Sequence, residues 1–554
     1  MSKFDTDVII VGGGPAGLML AIELGRRRVR TIVFDQDTST TINPQANATQ
    51  ARTMEHYRRL GLANEIRERG LPQNYPTDIA YFTTYTGYEL ARFQLPTAKQ
   101  AKKLIKNMKG SWSAAELPHR VSQMYVEDVL YRHADQLSSI DLRYEHQVTA
   151  VSDNIDHVVA TVVTKSHKFD VSAQYLVGCD GPRSLVRKQI GIEMEGEFEK
   201  KRDFVGGYMH AVYLKGSHLY DAINGNPAWM HVNINHRRRS FFAAIDGKSE
   251  FVFHTQLKSG EDKDNISETQ TRHMFAECMG RKIAFDIISR SSWTAGFTLV
   301  AEKLSKGRVF LAGDAAHLFT PTGGLGYNTA IEDAANLGWK LAAMVKNWGG
   351  PNLLKSYHME RYPSAIRNTN YARKFADSLG SYKPRPELEN NTIEGARLRN
   401  EASKYFNRHG REEFNIPGIT FGTRYEKTPI IISDGTLPPP DQPNVYHPTA
   451  CPGGRAPHLW LEDNSESAVS LYDRFGFNFT LLCFDGGKEN RLESQISDIN
   501  TSNFPLTVVS VAGEEARALY QSDFALIRPD QIVAWRGNTL PKNPNDVFRM
   551  LSGH

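Results

Sequence analysis

Short apolar runs that close on glycine, each followed by an amphipathic stretch, set the pattern of the first 180 residues. Asp7 to Val11 is such a run and predicts a buried parallel strand. Pro15 to Arg28 has helical character, with a proline in the first turn, where its missing N–H costs little. Arg30 to Asp35 returns to β-branched residues and completes a βαβ unit. Gln123 to Leu137 predicts another helix, Asp141 to Val163 alternating segments, and Tyr175 to Cys179 a further strand. From Phe204 to Phe253 the pattern changes to β-like stretches rich in aromatics: Tyr208 to Tyr213, Trp229 to Asn233, and Phe251 to Phe253. These predict a sheet inserted into an α/β domain. Arg308 to Ala312 predicts a strand, Tyr327 to Val345 a long helix, and Leu353 to Leu379 a second, charged helical region. Leu437 to Pro448 is proline-rich and reads as a linker. Phe479 to Phe484, Leu506 to Val511, Phe524 to Ile527 and Ile532 to Trp535 then predict strands of a small separate α/β domain.

A chain of 554 residues exceeds one compact core, and length alone suggests roughly three or four domains. Lys+Arg exceeds Asp+Glu by 66 − 62 = 4, which makes no electrostatic case for nucleic acid or an anionic membrane. The runs Arg26 to Arg28 and Arg237 to Arg239 read as solvated surface. The four cysteines, Cys179, Cys278, Cys451 and Cys483, form no CxxC pair and no metal-like spacing with histidine. No metal is therefore expected, and a reducing, cytoplasmic setting fits better than a disulfide scaffold. The polar N-terminus is not a signal peptide, and no run of about 18 apolar residues predicts a membrane span.

Three segments carry chemistry. In Gly12-Gly13-Gly14-Pro15-Ala16-Gly17, Gly12 permits a tight turn, Gly14 lets backbone approach a pyrophosphate, and Gly17 allows close helix–strand packing. The helix N-terminus offers free N–H groups and a positive dipole end, and Asp35 ends the next strand where a carboxylate can accept from a ribose. In the second segment a strand delivers Gly313-Asp314, and Gly323-Gly324-Leu325-Gly326-Tyr327-Asn328 opens a long helix. Asp314 is placed to bind a polyhydroxyl chain, and the helix N-terminus to stabilise negative charge on a reduced flavin. The structural alternative is a buried N-cap aspartate before an ordinary loop. The third, Cys179-Asp180-Gly181-Pro182-Arg183-Ser184, is by itself only a turn.

Together, in this order, the three segments resemble the class A flavoprotein monooxygenases, the family of para-hydroxybenzoate hydroxylase and phenol hydroxylase. The resemblance spans about residues 5 to 380. It implies an α/β FAD-binding Rossmann-like domain (1–75, 115–200 and 295–380) and an inserted β-sheet substrate domain (76–114 and 201–294). A helical or linker region (381–440) and a C-terminal thioredoxin-like α/β domain (441–554) would follow. Further, it implies one FAD and no separate nicotinamide domain. Asp314 would contact the ribitol, Gly324 to Asn328 the isoalloxazine edge, and Asp35 the adenosine ribose. Gln123 stands where the family places a flavin-contacting glutamine, and Asp180 would stabilise the fold and serve both FAD and the pyridine nucleotide. One departure is Gln45, at the place where many relatives have an arginine reaching the pyrophosphate. Its amide can still hydrogen-bond phosphate but lacks the charge, so either flavin would bind less tightly or Arg52 would substitute. The C-terminal tail lacks a CxxC and cannot do dithiol chemistry, so it is read as a packing or dimerisation element, with a homodimer one outcome.

The resemblance implies that NAD(P)H reduces FAD and that a flavin C4a-hydroperoxide formed with O2 hydroxylates a small phenolic or related aromatic substrate. A phenol ionises only near ~10, so a base or hydrogen-bond partner is expected. His210 and Tyr208, two apart on one strand, are candidates, as is His231, which alternates with Trp229 and Asn233. Arg52 is the alternative for orienting an anionic substrate. A Baeyer–Villiger, ring-opening or epoxidising oxygenase remains open on the same scaffold, and a flavin-bound interaction or redox-sensing protein stands further off.

Overall fold

A computed structural model of the chain describes residues 3–198, 201–223, 226–461, 469–484, 504–541 and 543–554. The first βαβ unit is β1 (Val8–Val11), α1 (Pro15–Gly25) and β2 (Thr31–Phe34). After α2 (Ala51–Arg59) come a hairpin, β3 (Ile79–Phe82) and β4 (Glu89–Phe93), then α3 (Gln123–Asp135), β5 (Ile140–Arg143) and β6 (Tyr175–Gly178). Next are β7 (Gly207–Lys215), β8 (Met230–Ile234), β9 (Arg239–Ala244), β10 (Glu250–Gln256), α4 (Glu268–Met279) and β11 (Asp286–Ala295). The chain returns through β12 (Ser305–Lys306) and β13 (Val309–Leu311) to three long helices, α5 (Leu325–Val345), α6 (Lys355–Ser381) and α7 (Ile393–Phe414).

The first sheet has the order β12-β13-β6-β1-β2-β5, parallel except for the short β12. β1, β2, β6 and β13 are buried along their whole length, as continuous apolar runs in a sheet covered on both faces must be. The second sheet has the order β11-β7-β10-β9-β8-β3-β4. The hairpin from residues 79–93 therefore joins strands that come more than a hundred residues later, through the one parallel pairing, β3 with β8. That pairing, helix α4 and helix α7 were not legible in the hydropathy pattern.

The C-terminal region holds β14 (Phe479–Cys483), β15 (Leu506–Ser510), α8 (Glu514–Tyr520), β16 (Phe524–Ile527), β17 (Val533–Gly537) and α9 (Pro544–Leu551). Its mixed sheet runs β15-β14-β16-β17, with only β14 and β15 parallel. The region docks on the first domain through buried charge. Arg528 donates to Glu360 of α6 at 2.7 and 2.9 Å, and Lys340 of α5 donates to the same carboxylate at 2.7 Å. Arg455 donates to Glu55 of α2 at 2.5 and 3.0 Å. The proline-rich stretch 437–448 forms no regular element, yet it is no free tether. Asp441 pairs with Arg367 at 2.6 Å, and Tyr446 is buried against Phe421. Among the described residues no helix is long and apolar enough to cross a membrane.

Candidate active site

The three glycine- and aspartate-bearing segments converge at the carboxyl ends of β1, β6 and β13, which are neighbours in the sheet. Gly12 has φ +107°, and a Cβ there would lie 2.3 Å from the Cys179 carbonyl oxygen, so only glycine lets the first turn pack on Cys179-Asp180. Gly17 meets the Gly12 carbonyl in the same way, at 1.9 Å. Gly313, at φ +63°, lies against Ala16 and Ala330. The turn after β13 is thus pressed onto the start of α1.

Several observations show that this junction fits a dinucleotide. Gly14 faces open space, and α1, with Pro15 in its first turn, has no side-chain cap and no acidic residue in that turn. α5 likewise starts uncapped at Gly324, in the left-handed region at φ +63°, with no first-turn acid. Two sets of backbone N–H donors are therefore left for an anionic or carbonyl acceptor. Asp314 stands exposed in the cleft, and among the described residues its carboxylate has no hydrogen-bond partner. Although the side chain opens to the cleft, the protein crowded around it pushes its carboxyl above the usual range, with His317 opposing. A polyhydroxyl chain would supply the missing donors.

The support behind this loop is invisible in the motif. Asp333 of α5, fully buried, accepts from Gly313 N at 3.2 Å, His317 Nε2 at 2.6 Å and Arg361 Nε at 2.8 Å. Arg361 also bonds Tyr425 Oη at 3.0 Å. On the other side of the cleft, Glu413 of α7 accepts from Gly323 N at 2.9 Å. Asn328 donates to the Ala48 carbonyl at 2.9 Å and accepts from Gln50 N at 2.8 Å, clamping residues 46–50 onto the start of α5. Leu325 packs on Phe375, Gly326 lies against Phe319, and Tyr327 Oη meets Tyr57 Oη at 2.5 Å.

Other predicted residues have protein partners of their own. The Asp35 carboxylate accepts from Gly13 N at 2.6 Å and Asp37 N at 2.8 Å, so it holds the glycine turn itself. Asp180 accepts from Ser184 Oγ at 2.6 Å and Val186 N at 3.0 Å, as a local cap. Gln123 donates to Glu127 at 2.8 Å and to exposed Gln45 at 3.3 Å, while its backbone N–H reaches Ala46 O at 2.7 Å. Arg52 does not stand in for a pyrophosphate arginine or orient a substrate. Its guanidinium is buried on Glu55, Gln531 and the Asp530 carbonyl, drawn there by the docked C-terminal region.

The substrate-side histidines need correction. His210, Thr255, Ser240 and Asn233 form one row across β7, β10, β9 and β8, and His231 belongs to the parallel row through Phe242, Phe253 and Val212. α4 covers this face, because His210 Nε2 lies 3.0 Å from Thr271 Oγ1 and Phe275 packs on Phe242 and Phe253. His231 is fully buried among Phe82, Tyr85 and Phe242. Tyr208 is exposed beside Lys263. The predicted roof residues thus lie on the far side of the sheet, since neighbours along a strand point to opposite faces.

The opposite face carries Val232, Phe241 and His254 in one cross-strand row, with Trp293 on β11, beyond β7 from His254. It is turned toward α3 and α7, as Tyr125 packs near Val252 and Phe406 on Tyr81. His254 stacks on Phe241 at 4.5 Å, and its Nδ1 lies 3.3 Å from Trp293 Nε1, which donates to it. Burial pulls the His254 imidazole down to about 3, so it is neutral near pH 7 with its proton on Nε2. Alternation alone cannot tell which of two equally apolar faces meets the cleft, so the sequence pattern does not single out His254.

With this geometry in place, comparison identifies the class of protein. Residues 5–372 match the FAD binding domain family, and residues 449–552 match the aromatic-ring hydroxylase C-terminal family. The chain belongs to the FAD-binding family and has its α/β domain. It is 30% identical to the FAD-dependent monooxygenase apdD of Emericella nidulans, over 98% of this chain and 89% of that protein. It is 26% identical to the phenol 2-monooxygenase of a Pseudomonas species, over 99% and 93% respectively. The structure of RebC, a rebeccamycin biosynthetic enzyme, with bound 7-carboxy-K252c superposes over 100% of both chains, at 30% identity and a TM-score of 0.87. This chain is an FAD-dependent aromatic monooxygenase of class A, with NAD(P)H the reductant typical of its family.

Proposed function

We propose that the enzyme hydroxylates a small phenolic or related aromatic ring with NAD(P)H and O2, in the cleft between the Phe241–His254–Trp293 face and the start of α5. The observation that carries this reading is the neutral His254, held by the Trp293 indole and stacked on Phe241, whose Nε2–H has no partner among the described residues. FAD, when bound, supplies the oxygen-activating redox chemistry, and the residues of the chain bind, orient and exclude water. Gly12, Gly14, Pro15, Ala16 and Gly17 receive the pyrophosphate, Asp314 the ribitol, and Gly324 to Asn328 the isoalloxazine edge. Asp35 retains lone pairs for the ribose, and Gln123 and Asp180 keep their neighbouring turns in register. His254 donates to the substrate oxygen, which favours the ionised, more nucleophilic ring.

The domain division follows the sheets: an FAD-binding domain, the large sheet as substrate domain, and a C-terminal unit. The mixed sheet of that unit, with α8 and α9, supports a thioredoxin-like reading without redox chemistry. Its buried Arg528 and Arg455 anchors support a role in stability, and a mass measurement tests homodimerisation. A cytoplasmic setting fits the four unpaired cysteines. The test of the whole reading is a panel of phenols, scored for stimulated NAD(P)H oxidation and for product mass. Gain of one oxygen atom by a ring is the expected outcome. Oxidation unaffected by every aromatic would overturn it.

A further inference from the structure

The turn that opens α5 is pinned at three points. Gln50 Nε2 donates to the Gly323 carbonyl at 2.9 Å, Asn328 Nδ2 donates to the Gly324 carbonyl at 2.6 Å, and Gly323 N–H donates to Glu413 Oε1 at 2.9 Å. The first two partners are neutral amides, and only Glu413 brings charge. It comes from the last turn of α7. That helix is anchored on the β3–β4 hairpin by Phe406, whose ring stacks on Tyr81 at 4.8 Å, and by Phe414, which stacks on Phe93 at 6.5 Å. Glu413 is 6% exposed, and among the described residues no lysine or arginine forms an ion pair with it. Its neighbour is His409, one turn earlier and also buried. His409 Nε2 lies 2.8 Å from Oε2, out of line for a hydrogen bond, and His409 Nδ1 lies 3.0 Å from Ser378 Oγ of α6.

Other buried carboxylates of this junction are matched differently. Asp333 faces Arg361, Glu360 faces Arg528 and Lys340, and Glu55 faces Arg455 and Arg52. A buried carboxylate without such a cation is costly. A neutral acceptor would hold Gly323 N equally well for shape alone, as Gln50 and Asn328 hold the two carbonyls beside it. The charge therefore calls for an electrostatic role, and its place gives one. The N-terminal end of α5 carries positive partial charge, which favours an anion on the isoalloxazine edge assigned to Gly324 to Asn328. That edge gains negative charge when a hydride passes to FAD from NAD(P)H, which leaves as NAD(P)+. A fixed carboxylate bonded to Gly323 N offsets part of the helix field and takes up one of its donors, so both effects disfavour the added charge. We propose that Glu413 is a tuning residue of the flavin site, which holds down the reduction potential of bound FAD and makes the reduced cofactor a stronger electron donor to O2. This rests on the placement of the isoalloxazine edge proposed above, and Glu413 acts through Gly323 and through its own field.

The test uses FAD-loaded full-length protein and reads the midpoint potential by anaerobic titration against a reference dye. Glu413→Gln keeps an acceptor for Gly323 N and removes the charge. It should favour the two-electron reduced form by at least about tenfold over the wild type, a shift of about 30 mV to more positive potential. Glu413→Met should shift in the same direction, so either variant decides the matter if the other fails to fold. Glu413→Asp, which keeps the charge, should stay close to the wild type. An unchanged or more negative potential in Glu413→Gln or Glu413→Met would overturn the proposal, as would a Glu413→Asp shift as large as that of Glu413→Gln. Loss of FAD by Glu413→Gln would also overturn it, because Glu413 would then be a support of the loop alone. The flavin placement has its own check in Asp314→Ala. If that variant loses FAD affinity while Glu413→Gln keeps the wild-type potential, the tuning role falls and the flavin site stands.

Discussion

Asp314→Ala should move the stability of the flavin-free and flavin-bound protein in opposite directions. In the flavin-free cleft the carboxylate opens to solvent on one side, is crowded by protein on the others, has no partner among the described residues, and is held above its usual pKa. A carboxyl group whose folded pKa is raised opposes folding at every pH above its unfolded value, so at pH 7 its removal should stabilise the flavin-free protein. With FAD bound, the same carboxylate would accept charge-assisted hydrogen bonds from the ribitol, each contributing about 1.5–3 kcal/mol. Loss of one such bond weakens FAD by roughly 10- to 150-fold, since about 1.4 kcal/mol is tenfold. Asp333 and Arg361 remain to hold the backbone of the turn, so the effect stays local. Two measurements check this: FAD affinity by fluorescence titration, and melting temperature with and without FAD. A flavin-free variant that melts lower than the flavin-free wild type would refute the claim that the carboxylate is strained for want of a ligand. Full flavin affinity would remove Asp314 from the site.

Three further outcomes are expected. His254→Ala should weaken phenol binding about 2- to 10-fold, the loss of a neutral hydrogen bond of about 0.5–1.5 kcal/mol, and raise the peroxide formed per NAD(P)H, whereas His210→Ala should change neither; the reverse order in a coupled peroxide assay would show that the sheet faces were misread. Arg528→Met should cost about 3–5 kcal/mol in urea unfolding, because Glu360 keeps only Lys340 as a cation, and adding Glu360→Gln should restore part of it; strictly additive losses would argue against the coupled network. Stability should also fall as pH drops below about 6.5, where the unfolded state protonates histidines that the fold keeps neutral. His231, His254 and His458 are each pulled to about 3 by burial, and each should lose about 2 kcal/mol between pH 6.5 and 5. Equal urea midpoints at pH 7.5 and 5 would contradict this.

The sequence by itself determined the elements whose chemistry is local. Gly12 reads as a turn glycine and Gly17 as a packing glycine from their spacing, a Cβ at either would strike backbone, and the three chemistry-bearing segments were legible in order. The βαβ unit and the C-terminal strands were legible too, because continuous apolar runs and glycine breaks encode a two-sided sheet directly. The family, and with it the cofactor, followed from those same residues. Tertiary structure decided everything that depends on which distant surface a side chain meets. His210 and His254 sit on adjacent strands of equally apolar character; the pairing register puts them on opposite faces, and only the docking of α4 decides which face is covered. Arg52 looked available until the C-terminal region, more than 450 residues away in the chain, brought Asp530 and Gln531 to it. Arg120 finds the ring of Trp229 only because the fold lays the start of β8 beside it. Hydropathy reports whether a residue is buried, but the partner of a buried charge is a property of packing between elements far apart in the chain, where no local period carries the signal.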